Sequence, residues 1–304
     1  MKGIIPSLNT PFDPAGHLDL SCLRRLVEHT IGAGCGGMLG LAVAGEHTTL
    51  TEGEKLSYIQ TLTDANAGRV PVIISVTAQD PNESLALSRT ATQAGAAGVC
   101  VQIPENLNRQ GMHEFLRDIA NAGPDILMVQ DLDWDGGGLS LDDITYLFDK
   151  VDRFSWLKIE TQQAGPKYSA VLRATDGKLN VCGGWAVTQL MDALARGVHA
   201  FIPTGMERVY VSIQRLYETG EVTAARALFE RVLPILNFSN QNIGISIRFF
   251  KELRKAEGLF ETDQCRLPQA QFDDIQALEA RHARNAAMAL IRQASEAAAM
   301  RQDG

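Results

Sequence analysis

The sequence predicts an α/β fold, a (β/α)8 TIM barrel over residues 1–220 with a C-terminal helical extension over residues 221–304, the whole forming one domain. Three observations lead there. Short apolar runs of strand length alternate with helix-periodic segments, and eight such runs fall between residues 3 and 202. That alternation builds a parallel sheet, and eight repeats suit a closed barrel. A doubly wound open sheet is the competing architecture, but no GxGxxG follows the first run and no GxxxxGK[ST] occurs anywhere. From Glu221 onward the strand pattern stops and helix-rich sequence takes over.

The elements follow in order. Residues 3–8 form a first strand, ended by Asn9-Thr10-Pro11-Phe12 and a polar turn through Gly16. Leu20, Leu23, Leu26 and Val27 then recur at helical spacing up to Gly32. Residues 36–41 are a second strand, and Thr51 with Glu54 three positions on makes a capping box that opens the next helix. Strands over 70–76, 98–102, 126–130, 154–160, 178–182 and 199–202 alternate with helices over 82–95, 112–122, 141–151, from about Pro166, and 187–196. The fifth strand runs into an acidic, glycine-rich loop, residues 131–138. Helices over 224–236, 243–257 and 271–300 complete the extension.

Composition narrows the function. A formal net charge of −8 argues against nucleic acid as a partner, because phosphate binding needs a basic face. A small anionic substrate needs only a local site and stays open. Neither a signal-length apolar run after Met1-Lys2-Gly3 nor a membrane-spanning segment is present. Cys22, Cys35, Cys100, Cys182 and Cys265 are scattered without a CxxC pair, so reduced thiols and a cytoplasmic location are expected.

One strand draws the chemistry. In residues 154–160 side chains alternate, so Leu157 and Ile159 share one face while Trp156, Lys158 and Glu160 share the other, toward a barrel interior. A buried lysine needs a partner, a lowered pKa or a chemical task, and one such task is attack of the neutral amine on a ketone to form a Schiff base. The alternative is a lysine near the rim with its head in water. Barrel active sites lie at the C-terminal ends of the strands. There the second loop offers Ala44, Gly45, Glu46, His47, Thr48 and Thr49. The fifth offers Gln130 and Asp131, the seventh Gly183, Gly184 and Trp185, and the eighth strand Ile202 and the Pro203-Thr204-Gly205 that follows.

Several motifs in this order resemble the dihydrodipicolinate synthase / N-acetylneuraminate lyase family. They are Leu8-Asn9-Thr10-Pro11-Phe12 with Gly16-His17-Leu18-Asp19, Gly45-Glu46 with Leu50-Thr51 and Glu54, residues 94–98, and Lys158-Ile159-Glu160, across roughly residues 3–260. The resemblance implies that Lys158 forms the Schiff base with a 2-oxo acid such as pyruvate or a 2-keto-3-deoxy sugar acid, with no metal and no organic cofactor. It also implies a homo-oligomer, dimer or tetramer, although Glu105-Asn106 replace the family's interface tyrosines.

Other departures bear on the substrate. Val43-Ala44 stand where the family has two threonines, and Gln130-Asp131-Leu132-Asp133 stand where it has a Tyr-Asn-x-Pro motif. Gln130 can hydrogen-bond but cannot act as an acid or base near neutral pH. Proton transfer then falls to Glu160, Glu46, His47, Asp131 or a bound water. The pattern resembles a divergent branch that includes 2-keto-3-deoxy-L-arabonate dehydratase-like proteins, and it argues against dihydrodipicolinate synthesis itself. The expected activity is a Schiff-base lyase, aldolase or dehydratase, with Lys158, Gln130 and Glu160 as catalytic residues. Substrate binding is expected from Ala44, Gly45, Glu46, Gly183, Gly184 and Ile202. A pyruvate-condensing synthase and a non-catalytic 2-oxo-acid binding protein are the rival readings.

Plainer roles compete for the same residues. Glu46 can cap backbone amides or pair with a cation, His47 can be solvated loop, and Glu160 can be a counter-ion that keeps Lys158 charged. Asp131, Asp133 and Asp135 can be turn formers rather than metal ligands.

Overall fold

A computed structural model describes residues 1–184, 187–267 and 272–302. Eight parallel strands form one curled sheet in the order β1-β8-β7-β6-β5-β4-β3-β2. They are β1 (Gly3–Ile4), β2 (Met38–Gly40), β3 (Val72–Ser75), β4 (Gly98–Val101), β5 (Ile126–Asp133), β6 (Phe154–Thr161), β7 (Asn180–Gly183) and β8 (Ala200–Phe201). The interleaved helices are α1 (Leu20–Gly32), α2 (Glu52–Asn66), α3 (Pro81–Gln93), α4 (Arg109–Asn121), α5 (Leu141–Lys150), α6 (Ala164–Ala174), α7 (Leu190–Ala195) and α8 (Glu207–Glu218). Three more follow: α9 (Val222–Ser239), α10 (Ile243–Ala256) and α11 (Asp274–Gln302). This is the expected (β/α)8 barrel with C-terminal helices.

Local chemistry sets the helix starts. Asp19, Asp80, Asn108, Ser140 and Asn242 each accept a backbone N–H at the N-terminus that follows, and Thr51 with Glu54 completes both halves of the capping box. Such caps are worth about 1 kcal/mol each. The strands are apolar on both faces, as a parallel sheet covered by helices requires. Ile5, Leu39, Ile73, Cys100, Met128, Trp156, Cys182, Ala200 and Ile202 fill the barrel interior. Ile4, Met38, Ile74, Val99, Leu127, Val129, Leu157, Ile159 and Val181 face outward against the helices.

Besides shifted element ends, such as β1 stopping at Ile4, the structure departs from the sequence reading in β5 and α8. Asp131, Leu132 and Asp133 belong to β5 rather than to the loop, because β5 stays paired with β6 as far as Asp133↔Thr161. Helix α8 was not singled out. Its N-cap is Met206 in a left-handed conformation (φ 53°), with no capping side chain to announce it.

The ring closes between its two end strands, β1 and β2, through few contacts. One isolated bridge pairs Ser7 with Leu39, supported by Leu8 N–H to Leu39 O and Leu39 N–H to Pro6 O at 2.9 Å each. Gly36 lets the strands approach here: a Cβ on it would lie 1.8 Å from the Lys2 carbonyl oxygen. The segment after α10 crosses the same region. Thr262 Oγ1 donates to Phe12 O at 2.7 Å, and Arg266 reaches Gly16 O, Thr49 O and Glu54. No helix among the described residues is long and apolar enough to cross a membrane.

Candidate active site

Strands β5 and β6 run eight residues each and lift their C-terminal ends above the other strands. Their register sets Gln130 beside Lys158 and Leu132 beside Glu160. Alternation points Trp156, Lys158 and Glu160 to the same side, with Trp156 in the interior cluster below. Lys158 is 4% exposed, and its Nζ lies 3.0 Å from Glu160 Oε2. Gln130 Nε2 donates to that same oxygen at 2.5 Å, while Gln102 Nε2 donates to Gln130 Oε1 at 3.3 Å. The amide thus orients the carboxylate on the amine.

Burial is the largest influence on the Lys158 ammonium and works against it, but Glu160 together with Cys100 and Cys182 outweighs it, so the pKa stands above the ordinary lysine value. At rest Lys158 is therefore an ammonium. Beneath it lie two neutral thiols. Burial pushes Cys100 up to about 12 and Cys182, the β7 neighbour of Lys158, well above its usual value.

A cavity of about 60 Å³ opens beside Lys158. The barrel contributes Ser7, Ala42, Val43, Ala44, Gln130, Glu160, Ile202 and Thr204, and the start of α10 contributes Asn242, Ile243 and Ser246. A second cleft, of about 280 Å³, shares Glu160 and Trp134 with the first. Its lining includes Thr161, Gln162, Gln163, Tyr168, Gly183, Gly184, Thr188 and Gln189. Of the residues singled out in the sequence, Lys158, Gln130, Glu160, Ala44 and Ile202 meet at the first cavity, and Gly183 and Gly184 line the second. Trp185 lies outside the described residues.

Gly45 and Glu46 are not among the residues lining these two cavities. Residues Val43–Gly45 form a 3-10 turn in which the N–H groups of Gly45 and Glu46 are already bonded to Ala42 O and Val43 O. The turn's first N–H groups, on Val43 and Ala44, precede that ladder. Glu46 takes the left-handed conformation (φ 53°) and turns its carboxylate into the protein. There it pairs with buried Lys251 and accepts the N–H groups of Arg266 and Leu267 at 2.8 Å each. Burial lowers the Lys251 pKa despite that partner. Two cations lie over the Phe12 ring, Lys251 Nζ 4.2 Å and the Arg266 guanidinium carbon 4.3 Å from its centre. The cation-pairing and capping role considered for Glu46 matches these contacts.

The remaining candidates are also engaged. His47 is half-buried, not a solvated loop residue, and burial lowers its pKa. Asp131 points outward from β5, pairs with Lys167 Nζ at 2.5 Å and accepts Leu139 N–H. Asp133 accepts the N–H of Gly138 and Asp135, as a turn former does. Among the described residues, ligand-type side chains converge at His29, Glu207 and Glu257, with ligand atoms within 4.8 Å. Arg254 already pairs with both carboxylates, which makes this a buried ionic cluster.

Sequence reasoning did not single out Ser7 or the α10 residues as part of the site. For Ser7 a signal existed: it lies two residues after inward-facing Ile5. For Asn242 and Ser246 the sequence carried helix signals only, because their place in the site depends on how α10 docks.

Fold and site together define a barrel enzyme class with a buried lysine–carboxylate pair at the mouth. The chain belongs to the dihydrodipicolinate synthetase family, whose sequence model matches residues 1–287. It is 28% identical over 276 residues to the L-2-keto-3-deoxyarabonate dehydratase of Azospirillum brasilense, covering 88% of each chain. Its fold matches the dihydrodipicolinate synthase of Rhodopseudomonas palustris with a TM-score of 0.86 at 23% identity, over 94% of this chain and 97% of the other. It also matches the N-acetylneuraminate lyase of Aliivibrio salmonicida with a TM-score of 0.83 at 20% identity, over 94% and 97%.

Proposed function

We propose that the protein is a class I lyase that forms a Schiff base between Lys158 and the ketone of a 2-oxo acid. The proposed substrate is a 2-keto-3-deoxy sugar acid, acted on by dehydration or retro-aldol cleavage. The observation that carries this reading is the 3.0 Å contact between Lys158 Nζ and Glu160 inside a closed barrel mouth. A cleft of about 280 Å³ that shares Glu160 and Trp134 with the first cavity supports a substrate longer than pyruvate. The dehydratase relative from Azospirillum brasilense supports the same substrate class.

In this mechanism Lys158 passes a proton to Glu160, and the freed amine attacks the C2 carbonyl. Glu160 returns that proton to the carbinolamine hydroxyl, which leaves as water to give an iminium that withdraws electrons from C3. Glu160 then removes a C3 proton to form the enamine, and the C4 hydroxyl departs as water after protonation by Glu160. In the aldol alternative, Glu160 takes the C4 hydroxyl proton and the C3–C4 bond breaks, releasing C4 as an aldehyde and leaving the enamine of pyruvate on Lys158. Gln130 holds Glu160 in place throughout.

The side chain of Gln130 favours a second reading, a 2-oxo-acid binding protein without turnover, because an amide cannot relay protons. A pyruvate-condensing synthase would use the same imine. We further infer a cytoplasmic homo-oligomer, supported by five unbridged cysteines and by Leu56, 53% exposed on α2.

Borohydride trapping with pyruvate and a panel of 2-keto-3-deoxy acids, followed by peptide mass analysis, tests the reading. The expected result is a reduced adduct on Lys158 and turnover that Lys158→Ala abolishes. A folded protein with no adduct overturns the imine. An adduct without turnover on any 2-oxo acid selects the binding protein.

A further inference from the structure

Ser7 stands out among the cavity residues. It is 5% exposed, and its Oγ has no hydrogen-bond partner among the described residues. Buried hydroxyls are ordinarily paired, so an orphan at a cavity wall asks for a ligand. Its backbone is fixed, with the N–H donating to Pro203 O at 2.8 Å and a bridge to Leu39. Ile5, two residues earlier, belongs to the interior cluster, so the alternation along this segment aims Ser7 inward as well.

The topology places Ser7 across from the lysine. From β6, strand β2 lies four positions along the sheet and β1 three positions the other way, so their C-terminal ends form the wall facing Lys158. That wall carries Ser7 and the Val43–Ala44 turn, which Asn9 secures by donating from Nδ2 to Ala44 O at 3.0 Å. A 2-oxo acid joined to Lys158 through C2 has its C1 carboxylate one bond away. Glu160, beside Lys158, repels that carboxylate and turns it toward the opposite wall. Among the described residues lining this cavity Lys158 is the sole cation, so neutral donors must hold the anion. Val43 and Ala44 have no side-chain donor to offer.

We propose that Ser7 is a substrate-binding residue whose hydroxyl donates a hydrogen bond to the carboxylate of the 2-oxo acid, alongside the N–H groups of Val43 and Ala44. The assignment rests on the imine reading above. Ser7 supplies a hydroxyl from the segment after β1 in a site whose second loop has none at Val43 and Ala44.

The test is borohydride trapping on Lys158 in the parent and in Ser7→Ala, with pyruvate and with acetone, the same ketone without a carboxylate. Loss of a hydrogen bond to an anion is expected to raise the half-trapping concentration of pyruvate about tenfold. The acetone requirement is expected to stay unchanged, a ratio that a merely structural role would not move. Parental trapping with an unchanged pyruvate requirement in Ser7→Ala overturns the Ser7 assignment alone, as does an equal shift for both ketones. A Ser7→Ala protein that traps neither assigns the hydroxyl to the fold and also overturns it. Failure of the parent to trap either ketone overturns the imine reading, and the role of Ser7 with it.

Discussion

Gly184 and Glu160 are so close that a Cβ on Gly184 would lie 2.2 Å from Glu160 Oε1. The carboxylate therefore rests against a glycine, and any side chain there must displace it from Lys158. Gly184→Ala is expected to lower turnover by about 100-fold, the scale of an ångström-sized misplacement of a catalytic group. Steady-state kinetics with borohydride trapping separates the effects. The imine should still form while proton transfer at C3 slows. Parental turnover in Gly184→Ala would exclude Glu160 as the base.

Glu160→Gln gives a prediction with a sign. Burial disfavours the Lys158 ammonium, and Glu160 with Cys100 and Cys182 more than reverses this, so the neutral amine appears only above the ordinary lysine range. With the carboxylate neutralised, the largest influence favouring the ammonium is gone and the pKa falls. The pH midpoint for trapping pyruvate should therefore move down in Glu160→Gln, while turnover is lost. A midpoint that stays or rises would contradict the assigned electrostatics.

The Glu46–Lys251 pair makes a stability prediction. Both side chains are buried, and removing one partner strands the other charge. Lys251→Met is expected to cost about 3–5 kcal/mol. The double variant Lys251→Met with Glu46→Gln should recover part of that, because a glutamine oxygen can still accept from Arg266 and Leu267. Urea denaturation of the two variants checks the order.

Acid should loosen the same region. The hydrogen bond from Arg266, opposed by burial, holds the Glu54 carboxyl at about 2. A carboxylate with a depressed folded pKa stabilises the protein above its unfolded value, about 4.3, and the contribution is lost as pH falls through the folded one. The urea midpoint should drop between about pH 4 and pH 2, and Arg266→Ala should flatten that decline.

Much of the fold was legible because it is written locally. The capping box at Thr51 and Glu54 and the alternation of Trp156, Lys158 and Glu160 need only neighbouring residues. Asp131 and Asp133 misled because charged residues beside glycines look like loop. What keeps them in a strand is pairing with Ile159 and Thr161, beyond the reach of local pattern. The same limit hid the partners of Glu46. Its contact with Arg266 joins positions 220 apart, and nothing in the second loop announces a lysine on α10.

The crossing of residues 262–267 over the β1–β2 closure has a consequence for how the molecule is made. Thr262 and Phe12 are 250 residues apart, and Arg266 grips the loops after both end strands. Contacts at such separation form late, since the intervening chain must first be ordered. On a ribosome, the two strands made first meet early but share only a few backbone hydrogen bonds. The clasp that secures them is synthesised about 250 residues after Phe12. The ring of the nascent protein therefore stays openable until residues 262–267 have emerged.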